Sequence, residues 1–535
     1  MNVADAVGRA LAAAGVRQVF GVIGSGNFHL TNAMVAGGAR FVAARHEGGA
    51  ATMADAYSRM SGTVAAISVH QGCGLTNAMT GITEAAKSRT PMIVVAAEAT
   101  EPRSNFSVDQ DALARAVGAV PVRITSAETA VAEALGAVAT AVRERRTVLL
   151  NVPLSVQSLS AEAPAVVPPA RDAVLPDAVD VETLTGLLRR AERPVFVAGR
   201  GSRGYRQALE SLAERCGALV ATSAVAHGLF RGNPWSLGIS GGFASPRTAE
   251  LIRGADLIVG WGCALNMWTM RHGQLIGTDT VVVQVDDDKS ALGAHRQIQL
   301  GVTGDVELTA TMALDAFGAQ QVGYRTAELG SVRWRDVGYD DTSTAERIDP
   351  RTLSIALDDL LPAERVVAVD SGNFMGYPSA YLSVPDENGL CFTQAFQSVG
   401  LGLATAIGAA LAQPDRLPVA ALGDGGALMS AAELDTVRRL GLPMLVVVYN
   451  DDAYGAEVHH FGPGGYPLDT VTFPPTDLAA IGRGYGFEAA TVRTVADLTA
   501  VKDWLNGPRS APMLVDAKVV ADQPSWWLEE AFRGH

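Results

Sequence analysis

The stretch 417–455, LPVAALGDGGALMSAAELDTVRRLGLPMLVVVYNDDAYG, constrains the fold more than any other part of the chain. Leu417 to Leu422 is a short apolar run that ends at Gly423-Asp424-Gly425-Gly426. Helical spacing follows over 431–440. A second apolar run over 444–449 then stops at Asn450-Asp451-Asp452. The order is strand, glycine turn, helix, strand, acidic turn. Parallel strands joined by a right-handed crossover set their carboxyl ends side by side. Asp424 and Asp451 are therefore expected at one sheet edge. Hard carboxylate oxygens there suit Mg²⁺ or Ca²⁺, and Mg²⁺ keeps phosphate oxygens among its ligands. Gly425 and Gly426 let backbone N–H groups approach such a phosphate closely.

At 535 residues the chain exceeds one hydrophobic core. Residues 1 to about 160 alternate strand and helix, with strands expected at 19–23, 40–44, 64–69, 92–97 and 147–152. Such alternation argues for a parallel sheet wrapped by helices. A Pro-, Ala- and Val-rich linker covers 155–180, a second α/β block 194–317, a polar linker 320–349, and a third α/β block 351–518. The net charge of −14 argues against nucleic acid or an anionic membrane as partner. Cys73, Cys216, Cys263 and Cys391 lie far apart, which suits reduced cytoplasmic thiols rather than a disulfide framework or a zinc site. The N-terminus reads as an amphipathic helix, not a signal peptide. The longest uncharged run, 388–414, is rich in Gly, Gln, Ser and Thr and reads as a buried strand, turn and helix, not a membrane span.

Between Gly425 and Asn450 lie 24 residues. The pair resembles the diphosphate-binding motif of thiamine diphosphate enzymes, Gly-Asp-Gly followed at about that spacing by Asn-Asn. Asp451 replaces the second Asn, which adds negative charge beside a diphosphate. The three blocks resemble the acetolactate synthase and pyruvate decarboxylase branch over nearly the whole chain. That resemblance implies an α/β fold of three doubly wound parallel-sheet domains. They are a pyrimidine-binding domain over 1–160, a middle domain over 180–330, and a diphosphate- and Mg²⁺-binding domain with a C-terminal tail over 345–535. It implies Asp424, Asp451 and the Ala453 carbonyl as magnesium ligands. Cofactor contacts are implied for Gly423, Gly425, Gly426, Tyr454 and Gly455, for the Gly372-Asn373 loop, for Gln397, and for Val399 as the apolar residue that bends the cofactor.

The same resemblance assigns Glu47, in Arg45-His46-Glu47-Gly48-Gly49, as the activating glutamate. A carboxyl hydrogen-bonded to the pyrimidine promotes its imino tautomer, whose nitrogen removes the thiazolium C2 proton. Burial is expected to raise the Glu47 pKa. Relatives pair the pyrimidine domain of one subunit with the diphosphate domain of another, so a homodimer at least, or a homotetramer, is implied.

The substrate residues divide between branches. Residues 70–77, His-Gln-Gly-Cys-Gly-Leu-Thr-Asn, resemble the synthase loop Gly-Pro-Gly-x-Thr-Asn, and Gln110 resembles the synthase glutamine near the substrate. These imply decarboxylation of a 2-oxo acid, with pyruvate expected, and ligation to a carbonyl acceptor. Ser25 and His70 fall instead where benzoylformate decarboxylases carry a serine and a histidine, which implies a non-ligating decarboxylase with His70 as proton donor. Turn chemistry at Ser25 and a structural role for His70 are the plainer alternatives. Metal ligation by His459-His460 is disfavoured, since neighbouring side chains diverge and Mg²⁺ prefers oxygen, and the sequence leaves open whether either histidine reaches the cavity; Trp526-Trp527 either covers its mouth or packs on a neighbouring domain. The middle-domain Gly199-Arg200-Gly201-Ser202-Arg203-Gly204 matches Gly-x-Gly-x-x-Gly, but no acid follows near Ala224 to hold a ribose, which disfavours NAD. Synthases bind FAD in this domain. The loop 262–268 lacks the synthase arginine, which weighs against FAD here.

Overall fold

The computed structural model describes residues 1–162, 165–325 and 328–528; the end of the expected third domain, 529–535, lies outside the described residues. Three six-stranded sheets form, every strand pair in them parallel. The first holds Gln18–Gly21 (β1), Arg40–Ala43 (β2), Ala65–Val69 (β3), Met92–Glu98 (β4), Val120–Arg123 (β5) and Thr147–Pro153 (β6), in the order β2-β1-β3-β4-β6-β5. The third holds Arg365–Val369 (β13), Leu390–Phe392 (β14), Leu417–Gly423 (β15), Leu445–Asn450 (β16), Glu488–Val492 (β17) and Met513–Lys518 (β18). Its order, β14-β13-β15-β16-β18-β17, repeats that of the first. Between them lie Pro194–Ala198 (β7), Leu219–Thr222 (β8), Ser236–Ile239 (β9), Leu257–Trp261 (β10), Val281–Asp286 (β11) and Leu300–Thr303 (β12), ordered β12-β11-β10-β7-β8-β9.

The central strands are buried on both faces, as parallel sheets wrapped by helices require. β5 was not expected from the sequence. It is an edge strand of four residues, Val-Pro-Val-Arg, and Pro121 is tolerated there because an edge leaves some N–H groups unneeded.

The first and third domains share one apolar core. The helices Glu47–Ser61 and Gly402–Ala412 occupy the same place in the two repeated topologies and pack on each other through Met53, Ala54, Leu403 and Ile407. Their backbones come so close that a Cβ at Gly408 would overlap the Met53 carbonyl. Ion pairs bind the middle domain to the first: Arg89 to Asp286 and Asp288, Arg145 to Asp286 and Asp287. Among the described residues no helix is long and apolar enough to cross a membrane.

Candidate active site

β15 and β16 pair directly, with Gly423 opposite Tyr449, so Asp424 and Asp451 leave the sheet at the same edge. The glycine turn is the start of a short helix, Asp424–Met429, rather than a plain turn. Both carboxylates line a cavity of about 1120 Å³ between the domains, and so does Ala453. Burial, reinforced by the Asp424 charge, pushes Asp451 up to about 8, and burial pushes Asp424 up to about 6. A bound cation would offset the cost of ionising these two buried carboxylates. No third carboxylate, histidine or cysteine joins them as a metal-holding group among the described residues. The remaining ligands of a hard cation would be a backbone carbonyl and phosphate oxygens.

Three glycines make the cradle. A Cβ at Gly426 would overlap the Asp370 carboxylate, one at Gly455 the Asp451 carboxylate, and one at Gly425 would sit 2.7 Å from the Tyr454 ring. The acidic turn is braced from outside. Asn450 Nδ2 donates to Asp516 at 2.8 Å, Arg347 pairs with Asp452 at 2.6 Å, and Lys518 pairs with Asp516 at 3.2 Å. These partners leave Asp451 free to face the cavity.

Asp370, at the end of β13, is a residue that sequence reasoning missed. It is fully buried and accepts from the N–H groups of Ser371, Gly400 and Leu401. One carboxylate thus ties the Gly372-Asn373 loop to the Val399 loop. Gln397, Val399, Gly372 and Asn373 all line the cavity, as do Gly423, Tyr454 and Gly455. Gln394 was missed too. Its buried amide lines the cavity, and neither its Oε1 nor its Nε2 finds a protein partner. Orphaned polar atoms and a glycine cradle beside paired carboxylates fit a polar, phosphate-bearing ligand with its metal.

The tail settles both open roles of the tryptophans. Trp526 lies against Trp334 in a tilted pair with ring centroids 4.2 Å apart and donates to the Gly242 carbonyl of the middle domain at 3.1 Å. Trp527 donates to the Asn373 carbonyl at 3.0 Å and forms part of the cavity wall. Neither His459 nor His460 lines the cavity; Glu457, on the same short helix, does. The Glu457 carboxylate makes no hydrogen bond or ion pair among the described residues, and its position gave no signal in the sequence.

Glu47 opens its helix behind His46, whose Nδ1 accepts from Gly48 N. Asn77 Nδ2 donates to Glu47 Oε2 at 3.1 Å. Gly24, next to Ser25 in the chain, lies against His70: a Cβ at Gly24 would stand 2.8 Å from the His70 ring, which rests on Phe106 with centroids 5.1 Å apart. His70 Nδ1 is buried without a hydrogen-bond partner among the described residues. Gln110 stands behind the 70–73 loop. It is buried, with Oε1 accepting from Gly72 N and Nε2 donating to Asn151 and the Ala97 carbonyl, so it holds the 70–73 loop in place. Glu47 is only half-buried within the single chain. None of Ser25, Glu47, His70 and Gln110 is among the residues lining the cavity that holds Asp424 and Asp451.

In the middle domain, Gly199 and Gly201 close tightly on Gly262, and Arg200–Ser202 forms one 3₁₀ turn; the next helix begins only at Arg206. A dinucleotide turn aims a helix N-terminus at the diphosphate, and this geometry does not.

Comparison with known proteins agrees with the three-part architecture. The thiamine pyrophosphate enzyme N-terminal TPP binding domain matches residues 1–113, the central domain 181–313, and the C-terminal TPP binding domain 370–517. The sulfoacetaldehyde acetyltransferase of Rhodobacter capsulatus is 29% identical, over 93% of this chain and 90% of that one. The acetolactate synthase isozyme 2 large subunit of Escherichia coli is 25% identical, over 85% and 84%. A probable 2-ketoarginine decarboxylase of Pseudomonas aeruginosa is 28% identical, over 93% and 90%. The thiamine diphosphate-dependent 4-hydroxybenzoylformate decarboxylase of Rhodococcus jostii shares the fold, with a TM-score of 0.82 at 23% identity over 97% and 99% of the two chains. The chain belongs to the thiamine pyrophosphate enzyme family and is an enzyme of that family's three-domain α/β fold.

Proposed function

We propose that the protein decarboxylates a 2-oxo acid, with pyruvate as the donor, and ligates the acyl unit to a carbonyl acceptor, using thiamine diphosphate and Mg²⁺. The observation that carries this reading is the convergence of Asp424 and Asp451 beside a glycine cradle, with Glu47 presented on a separate face. Bound thiamine diphosphate supplies the carbon nucleophile and accepts the electrons released with CO₂. Asp424, Asp451 and the Ala453 carbonyl hold Mg²⁺, and Gly425, Gly426 and Asn373 bind the diphosphate. Val399, on the cavity wall and pinned through Gly400 to Asp370, would supply the apolar support of the bound cofactor. Glu47 holds and returns the activating proton at Oε1, since Oε2 is engaged by Asn77. Glu457 is the acid–base group closest in sequence to the metal turn on the cavity wall.

The two halves of this chemistry lie on different surfaces of one chain, and Glu47 needs burial that the single chain does not provide. A second copy that covers the Glu47 face with its own Asp424 cavity completes both sites, so the active form is a homodimer at least. Exposed Ile23, Phe28 and Phe106 on the first domain, and Val399 and Met429 on the third, are apolar surface available to that contact. A relative's name, sulfoacetaldehyde acetyltransferase, describes transfer of an acetyl group, which supports passing an acyl unit to an acceptor.

A second reading rests on the contact between the Ser25 turn and His70. In it His70 delivers a proton and free aldehyde leaves. Glu47→Gln tests the common core: turnover should fall by orders of magnitude, and near-normal turnover would sink the assignment. His70→Ala separates the two readings. Loss of aldehyde favours the second, and an unchanged product ratio removes the role given to His70.

A further inference from the structure

We propose that Glu433 is a positioning residue for Glu47; this rests on the reading of Glu47 given above. Glu433 belongs to the third domain and lies nine residues after Asp424 in the same unit. It is 3% exposed. Its Oε1 accepts from the backbone N–H groups of both Arg45 and His46, at 3.0 Å each, and its Oε2 accepts from Thr436 Oγ1 at 2.6 Å. These two N–H groups belong to the residues immediately before Glu47, at the corner where β2 becomes the Glu47–Ser61 helix. A Cβ at Gly49 would stand 2.5 Å from Glu433 Oε1, so the first turn of the helix is seated directly on this carboxylate.

Neighbouring contacts grip the same corner. Arg45 pairs with Asp435 at 2.5 Å, and Arg439 reaches both Asp435 and the Ala43 carbonyl, at 2.7 and 2.6 Å. The other ties are exposed or longer levers. Glu433 is the buried one, and it meets a helix N-terminus whose first N–H groups have no partner within the helix. A carboxylate receiving two adjacent N–H groups fixes the direction in which the chain enters the helix. The Glu47 side chain therefore projects at an angle set from the third domain. Asn77 then holds only its Oε2.

Four variants test this in the full-length protein: Glu433→Ala, Glu433→Gln, Leu353→Ala as a buried control elsewhere in the third domain, and Glu47→Gln. Backbone amide exchange of Arg45 and His46 is read without cofactor. Exchange of the C2 proton of bound thiamine diphosphate is read with Mg²⁺, together with cofactor affinity. Glu433→Ala should speed amide exchange at Arg45 and His46 and slow C2 exchange by roughly tenfold or more, as expected when a catalytic group drifts by a fraction of its reach. Glu433→Gln keeps an oxygen acceptor and should stay within about threefold of the parent. Leu353→Ala should lower thermal stability and leave both exchange rates unchanged. Parent-like C2 exchange in Glu433→Ala would overturn the proposal, as would a loss matched by Leu353→Ala. If Glu433→Ala does not fold, Glu433→Asp, one methylene shorter, carries the same test with the same overturning result. Parent-like C2 exchange in Glu47→Gln defeats the functional reading itself, whereas loss there with full exchange in Glu433→Ala defeats only the positioning role.

Discussion

Removing Mg²⁺ should make this protein less stable as pH rises, through the Asp424–Asp451 pair. Asp451 rises from an ordinary 3.8 to about 8 and Asp424 from 3.8 to about 6, because both are buried and Asp424 repels Asp451. A carboxyl with a higher pKa folded than unfolded holds its proton more tightly in the native state. Stability then falls as pH climbs from about 4 toward 8 and levels off above that. At about 1.4 kcal/mol per tenfold, the Asp451 change sets a ceiling of about 6 kcal/mol. Asp451 remains partly open to the cavity, so screening by water reduces this to about 2–4 kcal/mol. The assay is urea unfolding of the third domain, followed by amide exchange of β15 and β16, between pH 5 and 8.5 with EDTA or with Mg²⁺ and thiamine diphosphate. The EDTA series should lose stability across this range. The loaded series should be flat or rise, since the metal replaces the protons. Asp451→Asn should remove more than half of the EDTA slope. A flat EDTA series in the parent, or an unchanged slope in Asp451→Asn, would refute the argument.

Gly455→Ala places a methyl against the Asp451 carboxylate and should weaken Mg²⁺ binding by roughly tenfold, read by calorimetric titration, with little change in melting temperature. Gly408→Val drives a side chain into the Met53 carbonyl between the two central helices and should cost about 1–3 kcal/mol, read as a lowered unfolding midpoint. Glu457→Gln removes the unpaired acid on the cavity wall and should slow steady-state turnover by about a hundredfold while leaving cofactor affinity close to that of the parent.

The elements legible in the sequence were those whose signal is local. The runs at 417–422 and 444–449 are apolar, uninterrupted and end in turns that a buried parallel strand needs, and they became β15 and β16. β5 was missed because four residues containing a proline carry no periodicity; its neighbour β6 creates the strand by pairing. The roles missed were those made by distant partners. Glu433 meets Arg45 across 388 residues, and Asp370 meets Gly400 across 30. Nothing local marks either acid as a backbone acceptor. The inward bonds of Gln110 were hidden for a related reason. Its position beside the active loop is visible in sequence, but the three bonds that turn it inward to Gly72, Ala97 and Asn151 are not. Glu47 stands at the helix start, as the sequence suggested, and is half-buried within the single chain.

The most direct measurement is product analysis. The purified protein is incubated with thiamine diphosphate, Mg²⁺ and a panel of 2-oxo acids that includes pyruvate, with and without aldehyde and 2-oxo acid acceptors, and products are identified by mass spectrometry and chiral chromatography. The account predicts CO₂ release and ligated hydroxyketones or hydroxy-oxo acids from pyruvate, absent in Glu47→Gln. Free aldehyde as the main product would shift the function to the His70 decarboxylase. No CO₂ from any donor, with cofactor bound, would contradict the account outright.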